Sequence, residues 1–434
     1  MTIILLSISG LAGYDPNCFD PENAAHGYRK AYALYEEPNA INLRDYAYCE
    51  STLTPEIERH LKKQQSVIKL VIQASAIERC DWQFDPFIKT SEERMHHLTQ
   101  AKNISWLLLA NARYQQDKGL SKSPFDTYNS LLQFAAHLDA DSHFDHMIAL
   151  SLRTMTFEAI HQYLNHHPEA HPAELHAVQS LLNNEANRNK ITCKDTVARS
   201  IEKTREILTN YKQYLYDDHF LTKQIGIPAE QLSGDFYTRN LQFYNDYMNK
   251  YLSYHSLPYP EACRKITDLG ENLKTKGRIY FMEYRDRLRT KITEYESEVL
   301  SKLSTHELDP VSLPNMEPRF LAEIEVDYLE KCDFLYSLFC VPNSATMFSI
   351  ETRICTQFNA LTAGIQLLVR YRDTKTIPEK LPADSPHDLF SDKPFLVIKT
   401  TEGFKLKCQG NDLSSKKVHE YEFILPKNNT FQGS

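Results

Sequence analysis

Glycine is scarce in this chain, and no stretch stays apolar for long enough to cross a bilayer. Only 12 of the 434 residues are glycine, set against 25 tyrosines and 21 phenylalanines, which argues against a turn-rich β protein and for long helices. A basic surplus is also missing. The formal net charge of −8 leaves nothing to displace counterions from phosphates, so nucleic acid is not an expected partner. Short basic runs such as Lys62-Lys63 and Lys416-Lys417 read as solvated faces. Nine cysteines are scattered with no Cys-x-x-Cys spacing, which excludes a zinc ribbon. Their odd number leaves at least one without an internal partner, and Cys18 with Cys49 is the pair that could bridge in an oxidising compartment.

Catalytic signatures are absent as well. The chain has no Gly-x-Ser-x-Gly elbow, phosphate loop, dinucleotide fingerprint or His-Glu-x-x-His. The paired acids Glu92-Glu93 and Asp217-Asp218 are neighbours in sequence, so on a helix they point apart and cannot oppose each other as acid and base. The apolar run from Ile3 to Leu6 is too short to span a membrane. Small residues from Ser7 to Gly13 follow it, and residues 1–19 read as a leader or signal remnant without a basic start. Export to the cell envelope or periplasm is the expectation, with the cytoplasm as the alternative.

What is present is helical periodicity. Asp20-Pro21-Glu22-Asn23 offers a cap and a first-turn proline, followed by Ala24, Ala25, Tyr28, Ala31 and Tyr32 on one face. Thr54-Pro55-Glu56 opens a long helix towards Ile77. From Glu92 to Asn187 four helices follow with short polar connections, so neighbours are expected to pack antiparallel. Their size is that of tetratricopeptide (TPR) hairpins, although no 34-residue consensus repeats. Residues 20–190 therefore read as a helical-hairpin domain, and 191–341 as a tyrosine-rich helical region with a charged helix from Lys276 to Leu303 and another over about Pro318 to Phe339. Residues 342–434 read as a long helix followed by a small sheet. Phe395 to Ile398 and Gly403 to Leu406 form its hairpin, with Tyr421 to Leu425 as a third strand. The fold class is mainly α, a TPR-like bundle of antiparallel hairpins with a small C-terminal α+β unit.

Two regions carry a resemblance. In the tail, Pro382, Ser385-Pro386-His387-Asp388-Leu389-Phe390-Ser391 and Lys393-Pro394-Phe395 resemble the Pro-x-Asp-Pro-(Trp/Phe) turn of major pseudopilins of type II secretion, with Leu389 where that pattern has proline. The N-terminal half, with Asn23-Ala24-Ala25, Tyr28, Ala31 and Cys80-Asp81-Trp82, resembles the helical region of uncharacterised envelope-type proteins of planctomycetes that carry such a tail. The resemblance implies a small antiparallel sheet behind a long helix and a place in the envelope. It covers about residues 20–190 and 345–425 and supplies no reaction. Major pseudopilins also hold calcium in an acidic loop after the final strands. The matching segment here, Gly410 to Lys417, has one carboxylate and two lysines, so no calcium site is carried over and no cofactor is expected.

Two constellations are candidates for chemistry. Eight of the 17 histidines fall between His137 and His176, and Glu93-x-x-His96 with Glu158-x-x-His161 match the Glu-x-x-His pairs of di-iron bundles. The plainer reading is surface or helix-end histidines. Tyr237, Tyr244, Tyr247, Tyr251 and Tyr254 could line a groove for a sugar or peptide, but at three-, four- and seven-residue steps they also make one packed helix face. The leading expectation is a non-enzymatic, envelope-associated interaction scaffold with a protein partner and no transmembrane span. The alternatives are a helical hydrolase or sugar-active enzyme built on the tyrosines, and a metal-binding helical bundle.

Overall fold

A computed structural model describes residues 21–38, 41–82, 91–120, 123–139, 143–188, 192–209, 233–304, 328–329, 331–334 and 344–426, with the side chains of 91–96, 123, 143–144, 200, 203–204, 207–208, 303–304 and 344 outside the description. Among these residues the protein is mainly helical, with a small antiparallel sheet near the C-terminus. The chain divides into two compact units, one from residues 1–192 with 350–434 and the other from 193–349.

The first unit opens with α1 (Ala24–Leu34), α2 (Leu43–Ala47), α3 (Pro55–Lys63) and α4 (Gln65–Ser75). The cap of α1 is Asn23 rather than Asp20. Its side-chain oxygen accepts from Ala25 N at 3.1 Å and from Asp81 N at 2.9 Å, while its amide nitrogen donates to Asp81 O at 2.8 Å. One amide side chain thus starts the helix and ties it to a segment 58 residues away. The long helix expected from Thr54 is two helices. Thr54 caps the first by accepting from Ile57 N at 3.3 Å, with Pro55 in the first turn. The break at Gln64, where φ is −88° and ψ is 9°, lets α4 turn its Val67, Ile68 and Val71 face into the core.

Then come α5 (Ser91–Asp117), α6 (Ser123–Leu138), α7 (His143–His166) and α8 (Pro172–Asn187). Successive helices pack on each other, α5 on α6 and α6 on α7, and α8 also packs on α6. The core here is Leu107, Leu108, Leu131, Phe134, Leu152, Phe157 and Ile160, all at or below 2 % exposure. Burial on this scale outweighs the modest helix propensity of the aromatic and β-branched residues. His171 and Glu174 make a reciprocal cap at the start of α8, with Pro172 in its first turn.

The second unit holds α9 (Cys193–Thr209), α10 (Gly234–Tyr254) and α11 (Tyr259–Ser304), with α9 and α11 both against α10. Ser233 caps α10 through Phe236 N at 3.1 Å. Beyond Gly277 every residue of α11 whose burial is described is exposed or half-buried, which suits its alternating charge. The helix expected over Pro318 to Phe339 lies mostly outside the described residues; of those described, 328–329 are helical and 331–334 form a turn.

The last helix, α12 (Ser344–Thr374), begins in the second unit and runs from Ile350 onward in the first. The tail behind it forms β1 (His387–Asp388) paired with β2 (Lys393–Pro394), and a second sheet of β3 (Leu396–Lys399), β4 (Gly403–Lys407) and β5 (Glu420–Ile424) in the order β3-β4-β5. All pairings are antiparallel, with Ile398 opposite Lys405 and Lys405 opposite Glu422. Phe404, Leu406 and Phe423 turn inward. Phe423 packs against Gly364 of α12, where any larger residue would collide with the ring.

Candidate functional site

Three polar arrangements in the first unit decide what it can do. The deepest joins α6, α7 and α8. Asp139, just past the last turn of α6, accepts from His146 Nδ1 at 2.7 Å and from Arg153 Nη1 at 2.8 Å. Arg153 Nε lies 3.4 Å from Glu185 Oε1, and Glu185 also pairs with Arg188. Arg188 continues to Gln133 Oε1 at 3.1 Å and Asn129 Oδ1 at 2.6 Å. Because Gln133 Oε1 is an acceptor there, its Nε2 donates to His137 Nε2 at 2.9 Å. His137 Nδ1 meets Tyr28 OH at 2.8 Å, and Trp82 Nε1 donates to His137 O at 2.7 Å. Burial first, and then the Arg188 charge, push the His137 imidazole down to about 4, so it is neutral.

An aspartate holding a histidine by Nδ1 is the geometry of a general base. Here, however, His146 is wholly enclosed, and among the described residues its Nε2 meets no hydrogen-bond partner. A base must reach a substrate proton directly or through one water. This set is a clamp across three helices.

The second arrangement holds the tail together. Asp388 is buried and accepts from Phe390 N at 2.9 Å, Ser391 Oγ at 2.8 Å, Gln409 N at 2.8 Å and Gly410 N at 2.8 Å. Gly410 passes so close to the Phe390 main chain that a β-carbon would not fit. Asp412, the one carboxylate of the Gly410 to Lys417 loop, accepts from Ser414 N at 2.9 Å, Ser415 Oγ at 2.8 Å and His419 Nε2 at 3.2 Å. Arg353 of α12 adds Nε at 2.8 Å and NH2 at 2.6 Å. Burial by itself would raise the Asp412 carboxyl, but the hydrogen bonds from Ser415, His419 and Arg353 hold it well below the usual carboxylate range. In this loop the positive charge beside the carboxylate is a guanidinium.

The third arrangement concerns the two edges of the β3-β4-β5 sheet. Phe423 and Tyr421 bond to β4, so Glu422 and Ile424 turn their main-chain groups outward. That edge is capped by α7. Asn165 Nδ2 donates to Glu422 O at 2.9 Å, Asn165 Oδ1 accepts from Ile424 N at 3.2 Å, and His161 Nε2 donates to Glu422 O at 2.6 Å. One side-chain amide therefore does the work of a neighbouring strand. Among the described residues the β3 edge has no such cover.

These contacts place the residues singled out from the sequence. The His161 ring lies on Phe423 with centroids 4.8 Å apart, and burial lowers its pKa, so it acts as a neutral donor to Glu422 O. Glu158 accepts from Gln162 Nε2 at 2.7 Å and from Gln357 Nε2 at 3.2 Å. The side chains of Glu93 and His96 lie outside the described residues. Among the described residues no group of three or more His, Cys, Asp and Glu side chains is placed to hold a metal ion. Tyr237, Tyr244, Tyr247 and Tyr251 are buried along α10, and Tyr254 is half-buried at its end. Tyr251 OH lies 3.8 Å from Cys193 Sγ, and Asn240 of the same helix donates to Cys332 O at 2.7 Å. The tyrosine face thus packs within the second unit. Cys49 is a free thiol, and Cys18 lies outside the described residues.

The sequence reading missed Asp139, Arg153, Glu185 and Asn165. A signal existed for two of them. An acid just after a helix C-terminus opposes the helix dipole, and an arginine among Leu150, Leu152, Met155 and Phe157 must find a partner once buried. Asn165 carried no signal, because its partners are 257 and 259 residues away.

A shallow depression open to solvent, with a cavity volume of only about 10 Å³, lies between Leu164, His167, Leu368, Tyr371 and Ile424. Its one cationic side chain, Arg372, donates to Pro168 O at 3.4 Å. No helix among the described residues is long and apolar enough to cross a membrane. Comparison with models of protein families, with curated proteins and with solved structures finds no match.

Proposed function

We propose that this protein works by binding another protein rather than by catalysing a reaction, and that its C-terminal α+β unit makes the contact. The observation that carries this reading is the distribution of exposed apolar side chains. Five of the eleven large ones among the described residues, Leu389, Leu396, Ile398, Leu413 and Val418, sit on the short tail. Scattered single exposures need no explanation, but a concentration on one small element marks a contact surface. The polar groups that could have served chemistry nearby are occupied. Asp388 and Asp412 hold loops, and the Asp139 cluster is sealed. In this reading the helices of the first unit act as a TPR-like frame. The envelope setting rests on the tail's resemblance to pseudopilins.

Site-specific photo-crosslinking in the cells that make the protein tests the reading. A photoreactive residue at Leu413 or Leu389 is expected to give a discrete adduct, and one at Leu34 on α1 is expected to give none. Adducts of equal yield from all three positions, or from none, would overturn it.

A further inference from the structure

We infer that the open edge of β3 receives an extended segment of a partner protein, in which apolar residues alternate with acidic ones, as an added strand. This rests on the interaction reading above and names its mode and the chemistry of the partner.

The hydrogen-bond parity fixes which groups are offered. Thr400 N donates to Gly403 O at 2.9 Å, which makes Thr400 and Gly403 a bonded pair. Along an antiparallel ladder bonded pairs alternate, so Ile398 pairs with Lys405 and Leu396 with Lys407 through their main chains. Val397 and Lys399 therefore turn their N–H and C=O groups away from β4. No described group bonds to them there. On β5 the equivalent outward groups of Glu422 and Ile424 are met by Asn165 and His161. Among the described residues, side chains close one edge of this sheet and none closes the other.

The side chains name the occupant. Leu396 and Ile398 stand on one face at 46 % and 40 % exposure, which is more than an isolated edge strand needs to show to water. An added strand would set apolar residues beside them as cross-strand neighbours. Lys399 is exposed on the opposite face, with Lys393 exposed just before the strand. Neither lysine has a salt bridge among the described residues. An acidic residue opposite Lys399 completes the pairing. Lysine on an edge strand discourages pairing with a second copy of the same edge, and the net charge of −8 acts in the same direction. Strand addition draws affinity from main-chain bonds and specificity from alternate side chains, which matches what β3 presents.

The test uses the full chain and a short, capped, fluorescent peptide alternating valine with glutamate, followed by anisotropy. Two further peptides carry N-methyl groups on alternate residues, one set in each parity. The parity whose N–H groups face β3 should bind at least about tenfold more weakly, as expected for losing two main-chain bonds, and the other should stay within about twofold. Lys399→Glu, at an exposed position, should weaken the glutamate peptide and favour one alternating valine with lysine. Absence of binding, equal loss in both parities, or no response to Lys399→Glu would overturn strand addition. So would a dimer of the chain that Lys399→Glu strengthens. If crosslinks from Leu413 persist while the peptides fail, the partner binds by another mode and the interaction reading stands. If both fail, that reading falls too.

Discussion

Ion pairs occur in two very different settings in this protein. Asp139, Arg153 and Glu185 lie within the first unit at 5 % side-chain exposure or less. On α11 the pairs Lys274 with Glu271, Lys291 with Glu294 and Lys302 with Glu298 stand at 44 % or more. Both settings pair a cationic side chain with a carboxylate, and burial decides what the pairs are worth. In water an ammonium and a carboxylate gain little by meeting, because solvent served both before. Inside, each charge has lost its hydration, so the set holds only while every member is present. The interior cluster fixes the relative register of α6, α7 and α8, and the exterior pairs keep a long helix soluble.

The comparison can be broken most sharply at Arg153. Arg153→Met leaves Asp139 and Glu185 buried with reduced compensation, and the first unit should lose about 3–5 kcal/mol in urea unfolding. Adding Asp139→Leu to the same chain should recover part of that loss, since the carboxylate that remains, Glu185, keeps its pair with Arg188. No recovery would mean that the cluster does more than balance charge. At the covered sheet edge, Asn165→Ala strips partners from Glu422 O and Ile424 N, with an expected cost of about 1–3 kcal/mol. Hydrogen exchange should then rise at Ile424 and stay unchanged at Val397, whose amide is already open.

Acid probes the interior set in another way. His137 is held neutral with its pKa pushed down to about 4, whereas in the unfolded chain it protonates near 6.5. Between those values the unfolded state binds more protons. Its stabilising effect is therefore complete above about pH 6.5 and is lost as pH falls towards 4, by up to about 1.4 kcal/mol per pH unit. His255, lowered to about 4 by burial and then by Lys194, should behave alike in the second unit. Unfolding measured at pH 7.5, 6 and 5 should show a slope that His137→Gln reduces for the first unit alone. The smallest effect is expected on α11, where Glu298→Gln should leave the melting temperature within measurement error.

Much of the helical frame was legible because helices advertise themselves locally. Thr54-Pro55, His171-Pro172-Ala173-Glu174 and the spacing of Leu131, Phe134, Ala135 and Leu138 each state a start or a buried face within a few residues. The hairpin at Thr400 to Gly403 was readable for the same reason. The break at Gln64 was not, since neither glycine nor proline marks it, and it follows from where α4 can bury its face. The candidate site was less legible. Leu396 and Ile398 alternate visibly with Val397 and Lys399, but alternation alone does not say which edge of a sheet is covered.

By itself the sequence determined most of the helical frame, the hairpin of the tail and the excess of charge along α11, because each depends on periodicity within a few turns. Tertiary structure alone decided that Asp139, Arg153 and Glu185 meet, and that among the described residues Asn165 covers the β5 edge while nothing covers β3. Those outcomes depend on which distant surfaces exclude water together. A hydrogen bond between residues 257 positions apart leaves no local period to read.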